Sequence, residues 1–381
     1  MIYLDYNATV PPKKDILFLA HRLQSEYWFN PNSAYKQGRE VRKLIDKARE
    51  QCATAIGAEP EQIFFTSCAS ESNTWVLSLE KPYQCKIGSP FEHPDITSNI
   101  GGLSLDSYEE FCNIISQKDW DWKYPMNPHL MAQMYVQNES GRIFDLKRLT
   151  NNCHAKKIKI HSDMSQAFGK VPINVQDLDV DFATFSSQKI GSIRGCSALY
   201  VKNPKKFKQD FEPLIYGHQE QGMRGGTENA VAIACMGQAM EKYGYSELVD
   251  DWYKSLKQNL VAGLSQIPDT VILNTDTNTH KFTNNVVQVS FKGVESESLV
   301  LMCDSKGLCI SGGAACNSSS LEPSNEVKYL CSLHDPDKVN PYGVIRISYG
   351  WNTSAYDIEE AIKIIEESVK SLREVNGYRS V

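Results

Sequence analysis

A chain of 381 residues is too long for one simple core and suits a large α/β domain with a smaller companion. Its formal charge of −6 argues against a direct nucleic-acid partner, and 41% hydrophobic with 23% charged residues is ordinary for a globular protein. No apolar run approaches the roughly 20 residues of a membrane span, and the N-terminal MIYLDYNATV has no basic or apolar leader region. The eleven cysteines are scattered, without CxxC pairs or metal spacing to His, so reduced thiols in a cytoplasmic protein without a metal are expected.

Residues 1–12 open with a short β-like run and close in a Pro-Pro break. Residues 16–27 and 38–56 read as helices, the second with Val41, Leu44, Ile45, Ala48 and Cys52 on one face, and NPNS between them is a turn. EQIFF at 61–65 is a short strand, and TSCAS leads into a helix starting near Glu71. Residues 67–70, with Ala69 and Ser70, therefore sit at a helix N-terminus after a strand, where free N–H groups and the helix dipole favour an anion. Serine capping alone is the plainer reading of those residues.

Further along, MAQMYVQNESG is a strand ending in a polar turn. GHQEQGMRGGTEN at 217–229 is a Gly-rich loop opening a helix, and residues 240–260 have helical period and lead into a second domain. NVVQVSF and VIRISY alternate as strands, with helices at 295–304 and 355–373. No internal repeat or low-complexity linker interrupts the chain.

The chemistry concentrates between residues 158 and 195. Ile158 and Ile160 are the apolar positions of a run ending on Asp163, and DFATFSSQK ends on Lys189. Polar residues where strands stop are what open α/β sheets present to ligands. A lone lysine after a strand is ordinarily a solvated surface residue. An Asp ending one strand and a Lys ending another form a different pattern. Pyridoxal phosphate (PLP) needs a lysine amine to carry its aldehyde and a carboxylate facing its ring nitrogen. Asp163 and Lys189 read as that pair.

IYLDYNATVPP, NPNSAYKQGR, FFTSCASESN, EHPDI, QNESG, HSDMSQA, SSQK, GMRGGTEN, SGGAACNSSSLEPS and IRISYGWNT follow one another along nearly the whole chain. In that order they resemble the class V aminotransferase group of PLP enzymes, and within it the cysteine desulfurases of the NifS/IscS type. The resemblance implies a PLP-dependent transferase fold of type I, with a large mixed-sheet domain at 13–245. Residues 1–12 and 246–381 would form a smaller α+β domain. It implies that Lys189 carries the cofactor, that His93 stacks on its ring and shuttles protons, and that Gln166 meets its phenolic oxygen. Ala69, Ser70, Ser186 and Gln188 would hold its phosphate, and Asn138 would touch both cofactor and substrate carboxylate.

Thr227 would reach the phosphate of a partner subunit in a homodimer. The chain departs from the family at Tyr35, where His is usual, at Cys68, where Gly is usual, and at Ser70 in place of Thr. Cys68 narrows the backbone freedom that glycine gives. Gln188 also stands where the desulfurases have His; its amide donates to phosphate but brings no charge.

Cys316 lies in CISGGAACNSSSLEPS, a run too rich in Gly, Ala, Asn and Ser for a core. A thiolate nucleophile needs an exposed, mobile position, so a mobile loop is expected there. Arg346 in IRISYG would clamp the substrate carboxylate in the family's manner. The implied activity converts L-cysteine to L-alanine and passes the sulfur, as a persulfide on Cys316, to an acceptor protein. Iron–sulfur assembly, thionucleoside synthesis and DNA phosphorothioation all remain open as destinations. A class V aminotransferase or selenocysteine lyase would share Lys189, Asp163 and Arg346 without depending on Cys316. A non-catalytic sulfur carrier is disfavoured by the intact Lys, Asp, Gln and Arg set.

Overall fold

The computed structural model describes residues 1–78, 85–100, 108, 112–113, 128–312 and 322–378. Backbone contacts divide the chain into two units, one of Pro11–Tyr135 with Asp145–Tyr245, the other of Met1–Val10, Val136–Phe144 and Ser246–Val381. The sequence reading kept 136–144 within 13–245. By its contacts this segment belongs with the chain ends, because Arg142–Ile143 pairs antiparallel with Lys281–Phe282.

The first unit is built on a six-stranded mixed sheet. Cys85–Gly88, Pro128–Ala132, Lys159–Asp163 and Phe182–Ser186 run parallel as successive neighbours. Ser197–Val201 and Ile63–Thr66 follow, each antiparallel to its neighbour. Phe182–Ser186 is buried at every position, the pattern of a strand covered on both faces. The carboxyl ends of the four parallel strands therefore lie along one edge, and the turns leaving that edge carry Glu92, His93, Gln166 and Lys189. One face is packed by an aromatic cluster in which the Phe64 and Trp75 rings stand 6.1 Å apart and the Trp75 and Phe207 rings 5.0 Å.

Helix Lys36–Ile56 buries Val41, Ile45, Ala48 and Cys52 at helical spacing. It packs on helix Ala230–Lys242, where a Cβ at Gly237 would come within 2.6 Å of the Ala48 Cα, so glycine lets the two backbones approach.

Three local expectations change. Lys189 does not end a strand: the strand stops at Ser186, and Ser187–Lys189 is a 3-10 turn. Ser187 Oγ donates to the Ile193 carbonyl at 2.7 Å and ties that turn down. Cys68 has φ −161° and ψ 166°, extended backbone open to any residue, so it loses nothing to glycine. The helix read over 240–260 is two helices, Ala230–Lys242 and Glu247–Leu264, separated by residues 243–246.

The second unit holds a four-stranded antiparallel sheet in the order Ser311–Gly312, Val344–Ser348, Val286–Phe291, Thr270–Ile272. Ile2–Tyr3 pairs parallel with Leu308–Cys309. Leu256, Leu260 and Leu264 of one helix and Ile358, Ala361, Ile365 and Val369 of Ala355–Val375 close a core over Val287, Val289, Ile345 and Ile347. The Ala355–Val375 helix starts on a capping box in which Ser354 and Asp357 satisfy each other's backbone N–H.

Candidate active site

In the first unit, a chain of polar contacts links two of the four parallel-strand turns through helix Ala69–Leu77. Asp163 is fixed by two donors: Asn73 Nδ2 reaches Oδ2 at 3.0 Å, and the Ser165 N–H reaches Oδ1 at 2.8 Å. Asn73 is fully buried on helix Ala69–Leu77, and the same amide nitrogen donates to Asp95 Oδ1 at 3.2 Å. Asp95 in turn lies 3.0 Å from His93 Nδ1. Burial works against the Asp95 charge, but His93, Ser70 and Asn73 outweigh it and hold the carboxyl below its ordinary value. The predicted residues His93, Ser70 and Asp163 are thus joined through Asp95 and Asn73, which the sequence reading passed over. Asn73 follows Ser70 by three positions on a helix, the spacing that places both on one side.

Lys189 and Gln188 are half-buried on the 3-10 turn, and Ser186 is buried at the end of the strand beside Asp163. Gln166 Oε1 accepts from Lys170 Nζ. The N-cap residue of helix Ala69–Leu77, Cys68, makes no side-chain cap, which leaves the first-turn N–H groups of Ala69 and Ser70 facing outward from the helix end. Glu71 in that turn is held by Arg224 at 2.9 Å. An amine, a positioned carboxylate and a helix N-terminus therefore stand on one sheet edge.

The Gly-rich loop is pinned at both ends. Glu220 is buried and takes both terminal nitrogens of Arg49, at 2.7 and 2.8 Å, together with the Phe65 N–H at 2.9 Å. A Cβ at Gly225 would fall 2.1 Å from the Tyr216 carbonyl, so only glycine fits. Glu228 pairs with Arg42 at 2.6 Å and accepts from Asn32 at 3.1 Å. Thr227, between these anchors, is exposed.

In the second unit, Arg346 is almost wholly buried on Val344–Ser348. It donates to Asp5 Oδ1 at 2.7 Å and to the Asn138 carbonyl at 3.2 Å. Its Nε is buried with no hydrogen-bond partner among the described residues. Asn7 Nδ2 also donates to the Asn138 carbonyl, and Asn285 Nδ2 to Asn7 Oδ1. Arg346 and Asn138 are thus brought together, though through the Asn138 backbone and not its amide. The Asp5 pairing was missed; the two residues are 341 positions apart. Cys316 and its loop lie outside the described residues.

The aminotransferase class-V family pattern matches residues 2–360. A protein from Methanosarcina thermophila named cysteine desulfurase IscS is 31% identical over 98% of this chain and 93% of its own length. A solved NifS-like protein from Rickettsia africae superposes with a TM-score of 0.79 at 27% identity, over 97% of this chain and 99% of its own. A solved structure described as SspA in complex with cysteine reaches a TM-score of 0.73 at 25% identity, over 92% of this chain and all of its own. The chain belongs to the class V aminotransferase family.

Proposed function

We propose that this protein is a PLP-dependent cysteine desulfurase. The observation that carries the reading is the placement of Lys189 and Asp163 after two adjacent parallel strands, with Asp163 held by Asn73 and the Ser165 N–H. The donor set fits PLP: an amine for its aldehyde, a fixed carboxylate for its ring nitrogen and a helix N-terminus for its phosphate. When bound, PLP supplies an aldehyde that takes up the substrate amine and a cationic ring that draws electrons from the substrate Cα. Lys189 Nζ would hold the cofactor aldehyde and, once released from it, would accept the α-proton. Asp163 would stand against the ring nitrogen, and His93 would stack on the ring and pass protons. Gln166 would meet the phenolic oxygen, while Ala69, Ser70, Ser186 and Gln188 would hold the phosphate.

The Arg346 Nε, buried without a partner among the described residues, supports Arg346, with Asn138, as the place of the substrate carboxylate. Cys316 takes the sulfur: its thiolate attacks the substrate sulfur, the S–S bond forms as the C–S bond breaks, and the electron pair left on the β-carbon takes up a proton, giving the methyl group of alanine. The relatives' names and the cysteine-bound neighbour support cysteine as substrate.

A homodimer follows from Thr227, exposed in the single chain and assigned to a partner's phosphate. The same unit also exposes the large apolar side chains of Phe18, Trp28 and Tyr216, which a second copy would cover. The sulfur then passes to an acceptor protein in an iron–sulfur, thionucleoside or DNA phosphorothioation route. A reducing cytoplasm accords with the described cysteines, which are all free thiols. No helix among the described residues is long and apolar enough to cross a membrane. Incubation of the purified protein with L-cysteine should yield alanine and, with a reductant, sulfide in equal amounts. Transamination would instead yield a keto acid and defeat the reading.

A further inference from the structure

Glu92 precedes His93 and is only 7% exposed. Its Oε1 accepts from the Met134 N–H at 2.6 Å and from Ser89 Oγ at 3.0 Å. Ser89 donates its own N–H to the Ala132 carbonyl at 3.0 Å, and the Phe91 N–H donates to Ser89 Oγ at 3.3 Å. The carboxyl thereby ties the His93 turn to the end of the neighbouring strand. Glu92 Oε2 is buried with no hydrogen-bond partner among the described residues. Among the described residues, Asp163 and Asp95 are the charges that raise its carboxyl. His161, two residues before Asp163 on the same strand, is fully buried and hydrogen-bonded to Thr184 Oγ1 at 3.1 Å. Burial pushes that imidazole down to about 4, so it brings no positive charge at neutral pH. Tyr108, edge-on to Phe91, has its hydroxyl engaged with Gln133. An ionised carboxylate in this setting would be desolvated, half-bonded and repelled from two sides.

We propose that Glu92 is a positioning residue held as a neutral carboxylic acid, pinning the His93 turn beside Asp163. Burial first, and then Asp163 and Asp95, push its carboxyl up to about 8 against the Met134 and Ser89 hydrogen bonds. The inference rests on the proposed function only for what His93 and Asp163 do; the neutral state of Glu92 does not.

Glu92→Gln keeps the acceptor oxygen and the shape but cannot titrate. Between the ordinary value of 4.5 and about 8, the unfolded chain has released this proton and the folded chain still holds it. Stability is therefore lost as pH rises through that window. The Tm of the purified wild type should fall relative to Glu92→Gln from about pH 5 to about pH 8 and level off above. A difference that stays flat across that range overturns the proposal.

If Glu92→Gln does not fold, pH-difference infrared spectra of wild type carrying labelled glutamate read the same group. A buried protonated carboxyl persisting at neutral pH supports the inference; only carboxylate absorption there overturns it. For the positioning role, alanine release by the loaded wild type should decline with an apparent pKa near 8, a limb absent from Glu92→Gln. An identical alkaline limb in both refutes positioning. A protein that forms no alanine at all refutes the desulfurase reading and leaves the stability and infrared results to decide the state of Glu92.

Discussion

Asn73→Ala removes one amide that serves two carboxylates. The lost contacts are the 3.0 Å bond to Asp163 and the 3.2 Å bond to Asp95. A hydrogen bond to a charged group contributes about 1.5–3 kcal/mol, a factor of roughly 10–150 in an equilibrium constant. The bond to Asp163 bears on the cofactor, because it orients the carboxylate meant for the ring nitrogen. Asp163 keeps the Ser165 N–H at 2.8 Å as a second anchor, so the lower end applies, about tenfold weaker PLP binding. The assay is titration of cofactor-stripped protein with PLP, followed by absorbance. Asn73→Asp should be worse than alanine, since it sets a third carboxylate beside Asp163 and Asp95. Retention of PLP by Asn73→Ala within a factor of about two of wild type would refute the reasoning that Asn73 orients Asp163 for the ring.

Borohydride reduction of the yellow holoenzyme should fix the cofactor on Lys189, and a peptide map with the adduct on any other lysine would overturn that assignment. Thr227→Ala should weaken PLP retention, and mixing it with Lys189→Ala subunits should restore one competent site per heterodimer; a fully active monomer in sedimentation would rule out the shared site. His154 lies 2.8 Å from Asp181 and 3.0 Å from Asp179. The Asp181 hydrogen bond, with burial opposing, raises its pKa above 6.5. Because the folded value is the higher one, its contribution is complete below the unfolded value and is lost as pH rises through the folded one. The Tm deficit of His154→Gln should therefore be largest in mild acid and shrink toward alkaline pH, and a deficit that grows with pH would contradict this pairing.

Asp163 and Lys189 were legible because each follows an alternating or apolar run, and the strand edge they share is a consequence of parallel pairing. The resemblance extended that reading to His93, Gln166 and Arg346. What escaped depends on contacts distant in sequence or on backbone geometry. Asn73 is one polar residue in a serine-rich helix start, and its two carboxylate partners lie 22 and 90 positions away. Asp5 meets Arg346 from near the opposite end of the chain, a pairing no local pattern encodes. The Cys68 reading failed because a glycine in a family pattern suggests a left-handed backbone, and here the residue is extended. Lys189 sits on a 3-10 turn and not at a strand end because Ser187 turns its hydroxyl to Ile193. Glu92 was visible only as the neighbour of His93; its burial depends on how two strand ends pack.

Whether the thiol of Cys316 takes the sulfur of cysteine is decided by comparing wild type with Cys316→Ser under single-turnover and steady-state conditions. Wild type treated with L-cysteine should gain one sulfur atom on Cys316, seen by mass spectrometry of the intact chain and removed by reductant. It should release alanine and sulfide together. Cys316→Ser should still bind cysteine at the loaded site, since Lys189, Asp163 and Arg346 are untouched, but release no sulfide above background. If Cys316→Ser forms alanine from cysteine at the wild-type rate, Cys316 is not the sulfur acceptor and the protein is a lyase that needs no thiol.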